Sequence, residues 1–203
     1  MAYKWLDYDI LAPLTIRSNQ TVWTVEKLDK SIDRTTHPSQ RWELEFSILN
    51  DDGDDRLFWE TTTKMGNIRT MMMPSTVHNI GITDKPDATQ LKVSTTKPIN
   101  SQTIAINNTG ATPARLRRSG FLQFANHNKV YAFTNSKVLA AGSTNTNMNI
   151  FPRLRQSVPA GTNIKVYDDV TFHYYMDDTM MKGITYQDGI LSGVDRVALW
   201  EAV

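Results

Sequence analysis

Cysteine is absent from the 203-residue chain. This absence excludes disulfide bonds, thiolate ligands for metals and cysteine nucleophiles, so packing must stabilise the fold without covalent cross-links. Long apolar runs are absent too: no stretch reaches the roughly 18 consecutive apolar residues that a membrane-spanning helix needs. We therefore expect no membrane insertion. With 40% hydrophobic and 21% charged residues, the chain has a composition typical of globular proteins.

We also expect no secretion signal in the first residues. Asp7 and Asp9 fall where a signal peptide needs an uninterrupted apolar core. We therefore expect synthesis in a cytoplasm.

Acidic residues are missing from one long part of the chain. Residues 88–167 contain no Asp or Glu, but they contain ten Lys and Arg. Over residues 86–170 the net charge is +7 and over the rest it is −6, although the whole chain carries only +1. Two regions of opposite sign predict a basic domain at 86–169, inserted into an acidic domain formed by 1–85 plus 170–203.

The pattern of apolar residues predicts an all-β protein with one short helix. Short β-branched and aromatic runs alternate with turn-forming clusters about every ten residues. Residues 41–48 alternate apolar and polar side chains, as a half-buried strand does. Residues 55–65 instead repeat apolar side chains at helical spacing, and Gly66 follows them as a stop. Alternation resumes in 170–203, whose strands we expect to complete the sheet that the first 85 residues begin.

Within the basic region, short strands predict a small closed barrel. Closure leaves no unpaired strand edge, and the oligonucleotide/oligosaccharide-binding (OB) fold is the usual five-stranded solution. The six predicted strands are Gln90–Ser94, Gln102–Asn107, Gly120–Phe124, Lys129–Thr134, Met148–Phe151 and Asn163–Tyr167.

Motifs for catalysis, metals and cofactors are not found. The four histidines (His37, His78, His127 and His173) share no metal-ligand spacing. The acidic cluster at 51–55 has its glycine in the wrong place for a calcium loop, so a solvated turn is the simpler interpretation. The chain also lacks a nucleophile elbow, a P-loop and a dinucleotide fingerprint. We expect no cofactor, no bound metal and no enzymatic activity.

Arginines provide the candidate binding residues. The five that cluster in the basic region are Arg115, Arg117, Arg118, Arg153 and Arg155. Arginine with stacking aromatics is how small barrels hold single-stranded nucleic acid. However, Tyr131 and Phe133 share one strand face, which favours the barrel core over a stacking platform. The arginines would then contact an anion or an acidic protein surface, including that of a neighbouring copy.

Several segments resemble a known family. SGFLQF, KVYAF and NIFPRLRQSVPAGTNIKV are similar to a small barrel module of phage tail-tip proteins, whereas RWELEF and GILSGVDRVALWEAV are similar to their ring-forming domain. Over its whole length the chain resembles the distal tail proteins of long-tailed siphophages, most closely the phage T-five type. This resemblance implies a β-sandwich ring domain interrupted by an OB-fold-like barrel, with no catalytic residues.

The resemblance also implies a role and partners. The chain would form a hexameric ring at the virion tail tip, between the tail tube protein and the tip or baseplate hub proteins. DNA would pass through its lumen without specific binding, and host surface polysaccharide would be a further partner. The alternative function is a carbohydrate- or single-stranded nucleic-acid-binding module that acts through the barrel.

Overall fold

A computed structural model describes the protein over most of its length. The described residues are 4–5, 8–20, 22–27, 29–36, 39–48, 66–74, 86–87, 89–176, 185–187, 190–192 and 197–203. The helix predicted at 55–65 and the acidic cluster at 51–55 lie outside these residues, as do His37 and His78. Within the described residues, the all-β prediction is confirmed.

The described elements are eighteen strands and one short 3-10 helix. They are β1 (Lys4–Trp5), β2 (Tyr8–Asn19), β3 (Val22–Glu26), β4 (Ile32–Thr36), β5 (Arg41–Ile48), β6 (Arg69–Met72), β7 (Leu91–Val93), β8 (Thr103–Asn108), β9 (Ala114–Leu116), β10 (Phe121–Phe124), β11 (Val130–Phe133), β12 (Lys137–Leu139), β13 (Thr146–Phe151), β14 (Ile164–Val166), the 3-10 helix Tyr167–Asp169, β15 (Thr171–Met176), β16 (Thr185–Gln187), β17 (Ile190–Ser192) and β18 (Val197–Glu201). No helix among the described residues is long and apolar enough to cross a bilayer.

The chain forms two compact units. The first comprises Met1–Met71 and His173–Val203, and the second comprises Met72–Phe172. The charge pattern had placed the boundaries at 86 and 169 instead. The opposition of charge remains at the structural boundaries: the second unit has eleven Lys and Arg against four Asp and Glu, and the first has eleven against seventeen.

The first unit is built around a nearly closed, barrel-like sheet in the order β1-β2-β5-β18-β15-β6. In β5 the alternating apolar side chains Trp42, Leu44, Phe46 and Ile48 are buried, as their spacing predicts. Strand β18 pairs antiparallel with both β5 and β15. The end of the chain therefore completes the sheet that the early strands begin. Strands β3 and β4 form a separate two-stranded hairpin.

The second unit contains a small barrel in the order β14-β10-β11-β13-β8-β7. Its two end strands meet, because Val93 donates its N–H to Thr162 (2.9 Å) and accepts the N–H of Gly161 (2.8 Å). A bridge between Lys92 and Asn163 continues this contact. Each of the six strands predicted in this region is present, and aliphatic and aromatic side chains from all of them fill the interior. Two further strands, β9 and β12, form a separate ribbon.

Candidate functional site

The ribbon of β9 and β12 presents cationic side chains to solvent. Arg115 lies opposite Val138 across the ribbon, and both side chains are exposed. Their neighbours Ala114, Leu116 and Leu139 are buried and belong to the barrel core. Because side chains alternate along a strand, burial of these three residues directs the side chain of Arg115 outward.

Four cations line one open groove beside this ribbon. The groove has a volume of about 470 Å³, and its lining residues are Arg115, Leu116, Arg117, Arg118, Ser136, Lys137 and Val138. No carboxylate is among them. Within the part of the chain that the structure describes, no Asp or Glu forms an ion pair with Arg117, Arg118 or Lys137. The groove is therefore a concentration of positive charge.

Tyr167 holds the backbone beneath the arginines. Its ring is fully buried, and its hydroxyl accepts the N–H of Arg117 (3.1 Å) and donates to the C=O of Arg115 (2.7 Å). Burial raises the pKa of this phenol, so the hydroxyl stays protonated and able to donate. On the other side, Arg118 donates its N–H to Ser136 Oγ (2.8 Å). These bonds fix the main chain from which the three arginine side chains extend.

The turn that follows is equally constrained. Gly120 donates its N–H to the C=O of Arg117 (3.0 Å), and Ser119 adopts a left-handed backbone with φ of 65°. A Cβ at Gly120 would lie 3.0 Å from both the Arg117 carbonyl oxygen and Tyr167 Cε1. Glycine is therefore needed for the close approach of this turn to the tyrosine ring.

The other two candidate arginines lie elsewhere. The Arg117 turn adjoins the end of β11, where Ser119 donates its N–H to Phe133. Arg153 and Arg155 instead follow the end of β13, which runs antiparallel to β11, and Arg155 donates its N–H to Tyr131 Oη (3.2 Å). The structure thus groups three of the five arginines and places the other two towards the opposite end of the β10–β11 hairpin.

Lys137 and Ser136 are groove residues that sequence reasoning missed. They lie about twenty residues beyond the arginines and reach them only through the pairing of β9 with β12. A local signal existed, since Ser136-Lys137-Val138-Leu139 follows the predicted β11 strand after a short turn. The run was too short to be recognised as a strand.

At the other end of the hairpin, His127 joins a chain of hydrogen bonds. Its Nδ1 lies 3.0 Å from Asn126 Oδ1, and its Nε2 lies 2.9 Å from the Tyr131 hydroxyl. Burial, and secondarily the positive charge of Lys129, lowers its pKa from 6.5 to about 4. The arrangement suits a neutral imidazole with its proton on Nδ1, which accepts the Tyr131 O–H at Nε2.

The aromatic side chains of the basic region are largely buried. Tyr131 and Phe133 both belong to the barrel core, which confirms the prediction made from their shared strand face. The other buried aromatics of this unit are Phe121, Phe124, Tyr167 and Phe172. Phe151 is half-buried. A row of exposed rings for stacking bases is not formed by these residues.

Metal-binding clusters are not found in the described ranges, where no three His, Cys, Asp or Glu side chains converge. Of the four histidines, His127 and His173 are described, and both are half-buried. Neither a protein-family model nor a curated protein matches the chain.

Proposed function

We propose that the chain is a structural protein of a phage tail tip, without catalytic activity, that forms a ring joining the tail tube to the distal tip or baseplate. The resemblance of segments in both regions of the chain to siphophage distal tail proteins supports this role. The observation that carries the proposal is the division of the chain into two compact units of opposite charge, −6 and +7. Such a pair suits an adaptor in which one unit forms the ring and the other binds different proteins or surfaces.

The charges have a mechanical use in such a ring. An acidic ring domain that faces the lumen repels DNA and lets it pass without sticking. A basic barrel directed outwards attracts acidic virion proteins or an anionic cell surface over a Debye length of about 8 Å. In this arrangement the arginines between Arg115 and Arg155 do not face the pore.

Electron microscopy of labelled virions tests the proposal. Antibodies against the purified chain, detected with gold, should bind at the distal end of the tail and nowhere else on the particle. A reconstruction of that region should contain a ring, expected to be hexameric, into which the structure fits. Label along the tail tube or on the capsid would refute the role, and arginines 115–155 on the pore wall would refute the assignment of charge.

The cationic groove supports a second candidate function, a binding module for carbohydrate or single-stranded nucleic acid. Glycan arrays and oligonucleotide titrations on the full chain separate this function from simple charge attraction. Saturable binding that persists at moderate salt supports a module with its own ligand. Binding that disappears as salt is raised reflects counterion release alone.

A further inference from the structure

We propose that the groove of Arg115, Arg117, Arg118 and Lys137 is a binding site for a phosphate-type oxyanion. This inference rests on the geometry of the second unit and is independent of assembly into a ring. Its ligand is a phosphate group, free or carried as an ester on a larger molecule.

The first argument is electrostatic. Four cationic side chains share an open groove of about 470 Å³ whose lining contains no carboxylate. The positive charges of these side chains repel one another. A multivalent anion bound among them attracts each side chain and so offsets that repulsion. Three of these cations, Arg117, Arg118 and Lys137, form no ion pair with an Asp or Glu of the described residues.

The second argument is preorganisation. The main chain of Arg117 is bonded to Tyr167 Oη, and that of Arg118 is bonded to Ser136 Oγ. The hydroxyl of Ser136 accepts this N–H, so its own proton is free to point to a ligand. Because the main chain that carries the arginine side chains is already fixed, less conformational entropy is lost when a ligand binds.

The third argument concerns the ligand. Guanidinium groups form paired, charge-assisted hydrogen bonds with phosphate oxygens, and a tetrahedral phosphate can accept bonds from several directions at once. Recognition of bases would need stacking rings, but Tyr131 and Phe133 are in the core. The groove is therefore suited to the phosphate and not to a nucleobase.

The test is calorimetric titration of the full chain with inorganic pyrophosphate at a constant ionic strength of about 150 mM. Arg117→Ala with Arg118→Ala removes two groove charges. Arg153→Ala with Arg155→Ala removes the same number of charges away from the groove and is the matched control. We expect saturable binding by the wild type, at least about tenfold weaker binding by the groove variant, and unchanged binding by the control.

Two outcomes would overturn the site: no saturable binding by the wild type, or equal weakening by both double variants, which would mean that net charge alone attracts the anion. Two-dimensional NMR spectra of each variant check that the fold is retained. Tyr167→Phe provides a charge-neutral variant. Because it removes the hydroxyl that holds the Arg117 main chain, it should weaken pyrophosphate binding without altering net charge.

Two further ligands distinguish the sources of the phosphate. A hexose phosphate that binds with the same dependence on Arg117 and Arg118 identifies a phosphate monoester as sufficient. A single-stranded oligonucleotide that competes with pyrophosphate identifies the phosphodiester backbone as a ligand. If neither binds in an arginine-dependent way, the site does not recognise phosphate esters and only free phosphate remains.

Discussion

Gly120, beside the cationic groove, lies where there is little room for a side chain. A methyl group there would press on the Arg117 carbonyl and the ring of Tyr167, each at 3.0 Å. We expect Gly120→Ala to lower the free energy of unfolding of the second unit by about 1–3 kcal/mol, because one of these contacts must move. Hydrogen exchange of the barrel amides measures this loss.

Gly66→Ala, in the first unit, is the comparison for this substitution, with its effect measured by hydrogen exchange of the first unit's amides. A Cβ at Gly66 would have no atom of the described residues within 4 Å, so the change should be nearly neutral or slightly stabilising. If Gly120→Ala were as harmless as Gly66→Ala, the Tyr167 ring would not constrain the turn, and the argument for a preorganised groove would be weakened.

His127 makes the stability of the second unit depend on pH. Its pKa in the folded protein is about 4, below the ordinary value of 6.5. Between these values the unfolded chain takes up a proton that the folded protein does not, so stability falls as the pH drops through this window and is fully present above it. The side chain is partly exposed, and after allowance for solvent screening we expect a loss of about 1–2 kcal/mol.

Chemical denaturation at pH 7 and at pH 4.5 measures this effect, with His127→Gln as the comparison. Glutamine does not titrate, so the variant should lose less stability between the two pH values than the wild type. His173→Gln, in the first unit, should leave the pH dependence of the barrel unchanged. An identical pH dependence in wild type and His127→Gln would show that the histidine is not the titrating group.

Among the strands, those with local apolar alternation could be predicted and those without it could not. Strand β5 matches its predicted range, and β10 and β11 follow from dense runs of aromatic and aliphatic residues. Strands β9 and β12 were missed because neither places two large apolar side chains on either side of a polar one, as β7 (Leu-Lys-Val) and β14 (Ile-Lys-Val) do: β9 reads Ala-Arg-Leu and β12 reads Lys-Val-Leu. The arginines of the candidate site could be predicted, since they are close together in sequence. Lys137 could not, because it reaches them only through the pairing of β12 with β9.

Another feature beyond sequence reasoning is the buried amide of Asn108 at the end of β8. Its Nδ2 donates to the carbonyls of Thr112 (2.9 Å), Leu139 (3.2 Å) and Ala140 (3.0 Å). Its Oδ1 accepts from Gln90 Nε2 (2.8 Å). In sequence Asn108 resembles an ordinary turn residue. Its bond to Thr112 is local, but Gln90, Leu139 and Ala140 come from distant parts of the chain. The network connects β8 with the start of β7 and the end of β12.

Asn108→Asp tests this connection with almost no change in shape. The carboxylate would face carbonyl oxygens where the amide donates, so we expect a loss of about 3 kcal/mol or more in the free energy of unfolding. Asn147→Asp adds the same charge at an exposed position of β13 and should change stability by less than about 0.5 kcal/mol. Equal effects in thermal denaturation would show that charge, and not the network, is responsible.

The whole chain divides into two compact units, and the charge pattern gives the bounds of the second unit only approximately. A backbone hydrogen bond lies closer to these bounds. Met73 donates its N–H to the C=O of Val170 (2.9 Å), so the two ends of the second unit lie side by side. Adjacent ends are what allow one folded unit to be inserted in another. The charge pattern could not detect this contact, because neither residue is charged. It placed the start of the unit at 86, next to Asp87, the last acidic residue before Asp168.

The two alternative boundaries make different fragments, and their stabilities can be compared. Fragment 72–172 keeps the Met73–Val170 contact and the pairing of Gln123 with Thr171, in which Gln123 Nε2 donates to the Thr171 carbonyl (3.0 Å) and Oε1 accepts its N–H (3.2 Å). Fragment 86–169 loses both, and the buried Gln123 amide then lacks two partners. We expect fragment 72–172 to fold alone, with fragment 86–169 less stable by about 2–4 kcal/mol.

Thermal denaturation of both fragments, with NMR spectra compared to those of the full chain, decides between the boundaries. Coinciding barrel resonances in fragment 72–172 would establish the second unit as an independent domain. An unfolded fragment 72–172 would mean that the barrel depends on the first unit, and equal stability of the two fragments would mean that residues 72–85 and 170–172 add nothing. In either of those cases the hydrogen bonds at Val170 and Thr171 would not define the boundary.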